Sequence, residues 1–284
     1  MNKLPDYELT PGFFADPAYV SALTEMGLTT PDSVFAFDRG ADLTKKQLSP
    51  HRSRTCFRLG QDGPTVYLKR YEHPPALQQI RNWIDHRRRC CTSVYDGHLT
   101  ELLEEAGVAA PKTIAYGFEW NGLFEKRSFI LIQEIDGGAS LEQKLPDCMT
   151  DLTPQAARQR KAFIREVADF VRRFHSTGCR HRDLYLCHLF LDKHQTLYLI
   201  DLQRVFRPIL LSERFRIKDL AQLYYSAPGR AVSRADRLRF YQHYRQKKKL
   251  TRRDKWIIGQ IKRKVRRIAA HDRKQGRPAP FESR

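Results

Sequence analysis

The sequence predicts an α+β protein made of two lobes, a small antiparallel-sheet lobe (residues 1–135) and a mainly helical lobe (residues 136–284). Three observations support this prediction. Short strand-like segments dominate the first part of the chain, helical patterns dominate the second, and the pair Gly137-Gly138 breaks the chain between them. With 284 residues, of which 41% are apolar, the chain can bury a substantial core.

The predicted strands of the first lobe are short apolar runs bounded by turn residues. The second and third runs are separated by residues 60–63, whose glycines are typical of a hairpin. In the third run Val66 and Leu68 alternate with Tyr67 and Lys69, so one face is buried and Lys69 lies on the other. The five runs cover residues 34–37, 54–59, 65–71, 114–118 and 129–135.

The predicted helices are marked by apolar residues at helical spacing and by end signals. One helix is predicted over residues 99–106, with Gly107 as its stop. The main helix of the second lobe follows the N-cap residue Thr153 and carries an apolar stripe over residues 163–174. It is predicted to end near Gly178.

The charge balance is strongly basic, since 51 Lys and Arg residues against 32 Asp and Glu residues give a net charge of +19. Such a balance suggests an anionic partner, which can be nucleic acid, a phospholipid surface or a phosphorylated substrate. A generally soluble basic surface is the alternative. Nucleic-acid binding is disfavoured because the sequence has no zinc-ligand spacing, no aromatic-rich RNA-binding motif and no recognition-helix signal.

Residues 245–274 concentrate this charge, with fourteen basic and two acidic residues. Ile258, Ile261, Val265 and Ile268 form one helical stripe within the run, which predicts a basic amphipathic helix. Such a helix can lie on an anionic membrane surface. Alternatively it packs on the second lobe with its charged face in water. Both interpretations remain open.

Neither a signal peptide nor a membrane span is predicted, because residues 1–20 lack an apolar core and no apolar run exceeds four residues. None of the six cysteines forms a C-x-x-C pair, so we expect reduced thiols in a cytosolic protein. They are Cys56, Cys90, Cys91, Cys148, Cys179 and Cys187.

The segment His181-Arg182-Asp183-Leu-Tyr-Leu-Cys-His188 follows the long predicted helix. An apolar strand over residues 197–200 then leads into Asp201. Two acidic side chains presented by rigid elements can divide the work of phosphoryl transfer, because one accepts a proton from the attacking hydroxyl and the other holds Mg²⁺ on the phosphates. Lys69, on a strand far upstream, is suited to neutralising phosphate oxygens.

This combination resembles the catalytic core of protein kinases and, more closely, the lipopolysaccharide kinase (Kdo/WaaP) family. The closer resemblance rests on the form H-R-D-x-Y-x-x-H, on the following I-D-L-x-R-V, and on Lys218-Asp219-Leu220-Ala221. It covers residues 54–226 and implies a two-lobed protein-kinase-like fold that uses ATP and Mg²⁺. The roles it implies are Asp183 as catalytic base; Lys69, Glu134 and Asp136 in the ATP site; Asp201 and His188 as metal ligands; and His181 and Asp219 as supports of the catalytic loop.

Several residues depart from the kinase pattern. No glycine-rich loop precedes Lys69, and the basic residues Lys45, Lys46, Arg52 and Arg54 stand in its place. His188 occupies the position of an asparagine, and imidazole is a poorer Mg²⁺ ligand than an amide oxygen, so it either binds the ion weakly or orients a phosphate. The acidic partner of Lys69 is either Asp96, which has the better position, or Glu101, which has the better side chain.

The resemblance implies an acceptor in the lipopolysaccharide inner core, a heptose or Kdo. The enzyme would then be cytoplasmic and peripheral on the inner membrane, with the core glycolipid and the anionic leaflet as partners. Two alternatives remain, an atypical protein kinase and a non-catalytic kinase-like binding module. The protein kinase is less well supported because Tyr185 replaces the usual lysine and only seventeen residues separate Asp201 from Asp219.

Overall fold

The structure, a computed structural model, describes residues 3–44, 51–148 and 153–282. It confirms the predicted α+β class, with a seven-stranded antiparallel sheet and a helical region. The chain divides into two compact units. Unit 1 contains the residues up to Glu104, Ala110–Asp136 and Asp201–Val205, and unit 2 contains Glu105–Ala109, Gly137–Ile200 and the residues from Phe206 onward.

Unit 1 is built on seven strands: β1 (Tyr7–Thr10), β2 (Phe13–Ala15), β3 (Ala41–Asp42), β4 (Arg52–Arg58), β5 (Thr65–Glu72), β6 (Thr113–Asn121) and β7 (Phe124–Gln133). They follow the order β1-β2-β6-β7-β5-β4-β3, and every neighbouring pair is antiparallel. Val66 and Leu68 are buried in the core as the alternation predicts. Strands β4 and β5 pair in antiparallel fashion, which confirms the predicted hairpin. Lys69 on β5 lies opposite Arg54 on β4.

The described residues before residue 110 contain four α-helices. The helix predicted over residues 99–106 is confirmed in shorter form, and Gly107 follows it with a positive φ of 69°. The prediction missed the other three, because two of them have only six residues and the third has an unusual exposed apolar side. They are α1 (Val20–Glu25), α2 (Pro31–Ala36), α3 (Ala76–His86) and α4 (Thr100–Glu105).

The strand predicted over residues 34–37 is wrong, because most of this segment lies in helix α2. The hydroxyl of Thr30 accepts a hydrogen bond from the Ser33 amide, the Ser33 hydroxyl accepts one from the Thr30 amide, and Pro31 occupies the first turn. This capping box and the N-terminal proline fix a helix start. They override the strand preference of the apolar run that follows.

We expect the stability of the fold to fall in mild acid because of His98. Burial lowers the pKa of this histidine to about 4, and its Nδ1 lies 3.2 Å from the Tyr95 carbonyl. Its stabilising contribution is therefore complete above the unfolded pKa near 6.5, and it is lost as the pH falls towards the folded pKa. Urea unfolding should show about 2 kcal/mol less stability at pH 5 than at pH 7 from this group.

The substitution His98→Asn keeps a donor for Tyr95 and removes the titrating ring, so it should flatten this pH dependence. The matched control is His73→Asn, at an exposed position with a φ of 45° that asparagine tolerates. An unchanged slope in His98→Asn would assign the acid sensitivity to other groups.

In unit 2 the part of the chain that the structure describes contains a three-stranded sheet in the order β10-β9-β8 and five α-helices. Thr153 caps the predicted long helix, and Ile164, Val167, Phe170 and Phe174 on it are buried, which confirms that prediction. The elements are β8 (Ala139–Ser140), β9 (Leu189–Leu191), β10 (Leu197–Leu199), α5 (Leu141–Cys148), α6 (Pro154–Ser176), α7 (Ser212–Ser226), α8 (Arg234–Arg245) and α9 (Arg252–Lys274).

Helix α9 is the predicted basic amphipathic helix, but its buried stripe is placed differently. Ile257, Ile261, Val265 and Ala269 are buried, whereas the predicted stripe members Ile258 and Ile268 are only partly so. The helix packs against α7 and leaves most of its basic residues exposed. Its apolar stripe is therefore used inside unit 2, as the packing alternative requires, and its exposed side is a charged face.

Five of the predicted thiols lie in the described part of the chain, and all five lack a disulfide bond there. The side chain of Cys148 and the loop residues Lys45 and Lys46 lie outside the described residues. Within residues 3–44, 51–148 and 153–282, no helix combines the length and hydropathy that crossing a membrane requires.

Candidate active site

In unit 1, Lys69 forms an ion pair with Asp96. The Lys69 Nζ lies 3.1 Å from both carboxylate oxygens of Asp96, whose side chain is only 1% exposed. Asp96 ends a 3₁₀ turn, Thr92–Asp96, that lies before α4. Glu101 is exposed on α4. The structure therefore identifies Asp96 as the acidic partner of Lys69, and the open choice between the two residues is resolved.

Further polar groups of unit 1 surround the Asp96 carboxylate. The Tyr71 hydroxyl donates to it at 3.1 Å, and the Gln203 amide donates to it at 3.2 Å. Because Gln203 belongs to the segment Asp201–Val205, this contact ties the chain after Asp201 to Lys69 and Asp96. A buried carboxylate with several donors is held in one position, and so is the lysine paired with it.

Arg52 joins the same cluster from β4. Its guanidinium donates to the Gln203 side chain at 2.7 Å and lies over the Tyr71 ring, 5.1 Å from the ring centre. Burial works to lower the pKa of Arg52, but the surroundings, including Tyr71, Asp96 and Asp201, raise it overall. Two cations, Lys69 and Arg52, thus share this region of unit 1 with the Asp201 carboxylate.

Glu134, predicted in the ATP site, lies at the end of β7 with its side chain exposed. Its amide donates to the Thr65 carbonyl at 2.9 Å, and its carboxylate accepts from the Tyr67 hydroxyl at 2.8 Å. The Arg54 guanidinium covers that Tyr67 ring at 4.6 Å. Asp136, also predicted here, is exposed two residues later. The segment that follows β7 thus exposes two carboxylates, those of Glu134 and Asp136.

In unit 2, Asp219 holds the backbone before Asp183. Its two carboxylate oxygens accept the amides of His181 at 2.8 Å and of Arg182 at 3.0 Å, and the residue is fully buried. Arg182 adopts a left-handed backbone with a φ of 66°, which is unfavourable for a residue with a side chain. Asp219 therefore stabilises a strained turn directly before the proposed base.

Sequence reasoning missed two residues that extend this support. The Gln222 side chain accepts the Leu184 amide at 3.2 Å, and the Ser226 hydroxyl accepts the Leu186 amide at 2.9 Å. Together with Asp219 these residues have the spacing i, i+3, i+7, so they share one face of α7. The available signal was three polar residues at that spacing on a helix whose second half is almost entirely buried.

Asp183 itself is contacted by two side chains of α7. The Gln222 amide group donates to its Oδ1 at 3.3 Å, and the Lys218 Nζ lies 3.8 Å from the same oxygen. Its carboxylate is 27% exposed, so a ligand can reach it. Lys218 brings a cation to the base from a helix, whereas position 185, where Ser/Thr kinases carry a lysine, is tyrosine.

The two histidines of the loop stack on each other, with ring centres 5.3 Å apart. The Nε2 of His181 lies 2.9 Å from the Ile200 carbonyl, and the ring is fully buried. The His188 Nδ1 donates to the Asp183 carbonyl at 2.6 Å. Both rings therefore brace the loop, and His188 can meet a metal or a phosphate only through its Nε2.

The described residues contain no cluster of three or more His, Cys, Asp or Glu side chains that could hold a metal ion. Mg²⁺ in phosphoryl-transfer sites is commonly held by one or two carboxylates together with substrate phosphates and water. The carboxylate of Asp201, beside the cations of unit 1, fits this ligand chemistry. The imidazole of His188 fits it less well.

The profile of the lipopolysaccharide kinase (Kdo/WaaP) family matches residues 51–244. The chain belongs to this family. The matched region contains Lys69, Asp96, Asp183, Asp201 and Asp219, and it ends before α9. Helix α9 thus lies outside the residues that match the family profile.

Two curated relatives are named lipopolysaccharide core heptose(I) kinase WaaP. The one from Pseudomonas aeruginosa is 34% identical over 182 residues, which cover 61% of this chain and 66%, just under two thirds, of that protein. The one from Escherichia coli is 27% identical over 199 residues, which cover 68% of this chain and 74% of that protein. Heptose kinases are phosphotransferases that act on a sugar hydroxyl.

A solved structure, WaaP in complex with acyl carrier protein, matches this chain with a TM-score of 0.65 at 24% identity. The match covers 90% of this chain and 98% of that chain. At this identity the likeness concerns the fold alone, and it agrees with the kinase-like fold that the resemblance implied.

Proposed function

We propose that this chain is an ATP-dependent kinase that phosphorylates a sugar hydroxyl, a heptose or Kdo, of the lipopolysaccharide inner core. Family membership supports the reaction class. The observation that carries the proposal is the loop of unit 2, where Asp219 and Gln222 hold a strained backbone and leave the Asp183 carboxylate accessible.

Asp183 is the proposed base. As the acceptor oxygen forms its bond to the γ-phosphorus of ATP, the bond from that phosphorus to the β–γ bridging oxygen breaks and ADP leaves. The hydroxyl proton passes to the Asp183 carboxylate late in this step. Gln222 orients the carboxylate, and Lys218 places a positive charge beside the transferring phosphoryl group.

Unit 1 is proposed to hold ATP. Lys69, fixed by Asp96, and Arg52 neutralise phosphate oxygens by side-chain charge, which replaces a glycine-rich loop. Asp201 is proposed to hold Mg²⁺, which would neutralise charge on the phosphates, and the His188 Nε2 is a second candidate contact. Glu134 and Asp136 are proposed to belong to the segment that binds adenine.

The test is incubation of the purified protein with radiolabelled ATP and Mg²⁺. One set of samples contains core oligosaccharide from cells lacking this gene, and the other contains mixed protein. Label in the oligosaccharide supports the proposal, and mass spectrometry should find one phosphate missing from the core of those cells. Label in protein alone would favour the atypical protein kinase. The absence of thermal stabilisation by ATP and Mg²⁺ would favour a non-catalytic module.

With this acceptor, the enzyme is proposed to be cytoplasmic and peripheral on the inner membrane.

We also propose an acyl-carrier partner, because unit 2 contains a cavity of about 610 Å³ among α5, α6, α7, α8 and α9. Its lining is mainly apolar and includes Ile164, Val167, Leu223 and Ile261. A cavity of this size and polarity suits a long acyl chain.

A carrier protein loaded with a long acyl chain should raise the thermal unfolding midpoint of this protein, and the unloaded carrier should not. Val167→Phe fills part of the cavity and should reduce that shift, because the chain and the ring compete for one volume. Ala235→Phe, at an exposed position of α8, is the matched control. An equal shift with the unloaded carrier would contradict acyl-chain binding.

A further inference from the structure

Three consecutive apolar residues are exposed immediately before α7. Ile209, Leu210 and Leu211 expose 66%, 76% and 61% of their surface. Single exposed apolar side chains are ordinary on soluble proteins, but contiguous ones mark surfaces that contact a partner. We call residues 206–212 the apolar loop.

Both ends of the apolar loop are fixed on Arg180, three residues before Asp183. Phe206 and Arg180 exchange backbone hydrogen bonds of 2.9 and 3.0 Å. At the other end the Arg180 guanidinium donates to the Ser212 hydroxyl at 2.9 Å and to its carbonyl at 3.3 Å. The exposed tip is therefore anchored beside the proposed catalytic loop, within the same unit.

The loop also receives the side chain of Arg182, which lies over the Phe206 ring at 3.8 Å. Phe206 and Phe215 in turn pack edge to face, with ring centres 4.9 Å apart. These contacts hold the base of the loop and leave its tip in solvent.

Local backbone requirements do not explain the apolar tip. Leu211 has a left-handed backbone with a φ of 59°, a conformation in which glycine or asparagine is favoured. A large apolar side chain at this position is exposed and conformationally unfavourable. Its presence therefore indicates a contact that the isolated chain does not make.

The charges around the tip are positive. Arg207 and Arg214 are exposed on either side of it. Glu213, the acidic residue of this stretch, is paired with Arg216. Apolar side chains flanked by exposed arginines are the arrangement by which interfacial segments enter an anionic lipid surface.

We propose that the apolar loop inserts Ile209, Leu210 and Leu211 into an anionic lipid surface and so positions Asp183 at the level of the lipid headgroups. The inference rests on the proposed function in one respect, since a kinase whose acceptor is a glycolipid meets it at a membrane. We favour a lipid surface over a second protein as the occupant. The apolar tip suits the acyl-chain region of a bilayer, and the flanking arginines suit its anionic headgroups.

The test is co-sedimentation with phosphatidylcholine vesicles that contain phosphatidylglycerol, with neither ATP nor sugar acceptor present, so it reads lipid binding whether or not the chain is a kinase. The double substitution Ile209→Ser with Leu210→Ser should weaken binding about tenfold, equivalent to ~1.4 kcal/mol. Its thermal unfolding midpoint should stay unchanged, because both side chains are exposed. Vesicles of phosphatidylcholine alone should bind the wild-type protein more weakly.

The matched control is Leu123→Ser, which removes an apolar side chain that is 57% exposed in the β6–β7 turn and should bind like wild type. Wild-type binding by the loop variant would overturn the proposal. An equal loss of vesicle binding in Leu123→Ser would also overturn it. Loss of vesicle binding in Ile84→Ser but not in the loop variant would do the same, since the exposed side of α3 would then be the docking surface. Conversion of a dimer to a monomer by the loop variant, with vesicle binding retained, would identify a self-association surface instead.

Discussion

Asp183→Asn should lower the rate of phosphoryl transfer by about 10²–10⁴-fold while leaving the fold intact. The amide cannot accept the proton of the attacking hydroxyl, whereas its shape and size match those of the carboxylate. The backbone around it is held by Asp219, Gln222 and Ser226 rather than by its own side chain. We expect the thermal unfolding midpoint to change no more than it does for ordinary surface substitutions. The fall in rate should appear in kcat.

The matched control for this variant is Asp169→Asn on α6, whose carboxylate is 33% exposed against 27% for Asp183. Its carboxylate pairs with Arg172 on the same helix, so this variant should retain the wild-type rate. A wild-type rate in purified Asp183→Asn would remove this residue from the role of base.

Lys69→Met should lower kcat/KM for ATP by roughly 10²-fold or more, because a fixed positive charge next to the phosphates is lost. It should also destabilise unit 1. Asp96 is almost fully buried, and removing its cation leaves a buried carboxylate without its ion-pair partner, at a cost of about 3–5 kcal/mol. Loss of activity in this variant alone would thus have two explanations.

The double variant Lys69→Met with Asp96→Asn separates them. Neutralising both partners removes the buried charge, so much of the stability should return, as urea unfolding will measure. The activity should not return, because the positive charge of Lys69 beside the phosphates is still missing. Recovery of both properties together would mean that Lys69 acts only through the fold, and unaltered ATP kinetics in Lys69→Met would exclude it from the site.

The sequence was sufficient for the parts of the fold that depend on local patterns. The hairpin with Lys69, the capped helix α6 and the strand leading into Asp201 each have a periodicity or end signal in a few residues. Helix α2 shows the opposite case. Thr30, Pro31 and Ser33 start a helix there, although the apolar residues that follow predict a strand. Capping residues outweighed hydrophobic pattern there.

The partners of the candidate site depended on contacts across long stretches of chain. Asp96 and Lys69 are 27 positions apart, and Asp96 lies on a short 3₁₀ turn for which the sequence has no clear pattern. Sequence position favoured Asp96 and side-chain type favoured Glu101, so only the folded structure could identify the partner of Lys69. Gln222 and Ser226 were likewise invisible as supports, because their partners are backbone amides, which every residue type but proline carries.

The supports on α7 contact main-chain amides, so the shape of the catalytic loop is encoded mainly on a helix about forty positions downstream. Side chains inside the loop can therefore vary during evolution while the geometry of the loop is kept. Substitutions on that one face of α7, in contrast, would displace the carboxylate of the proposed base without replacing it. Searches for active relatives should weigh the helix face as heavily as the loop.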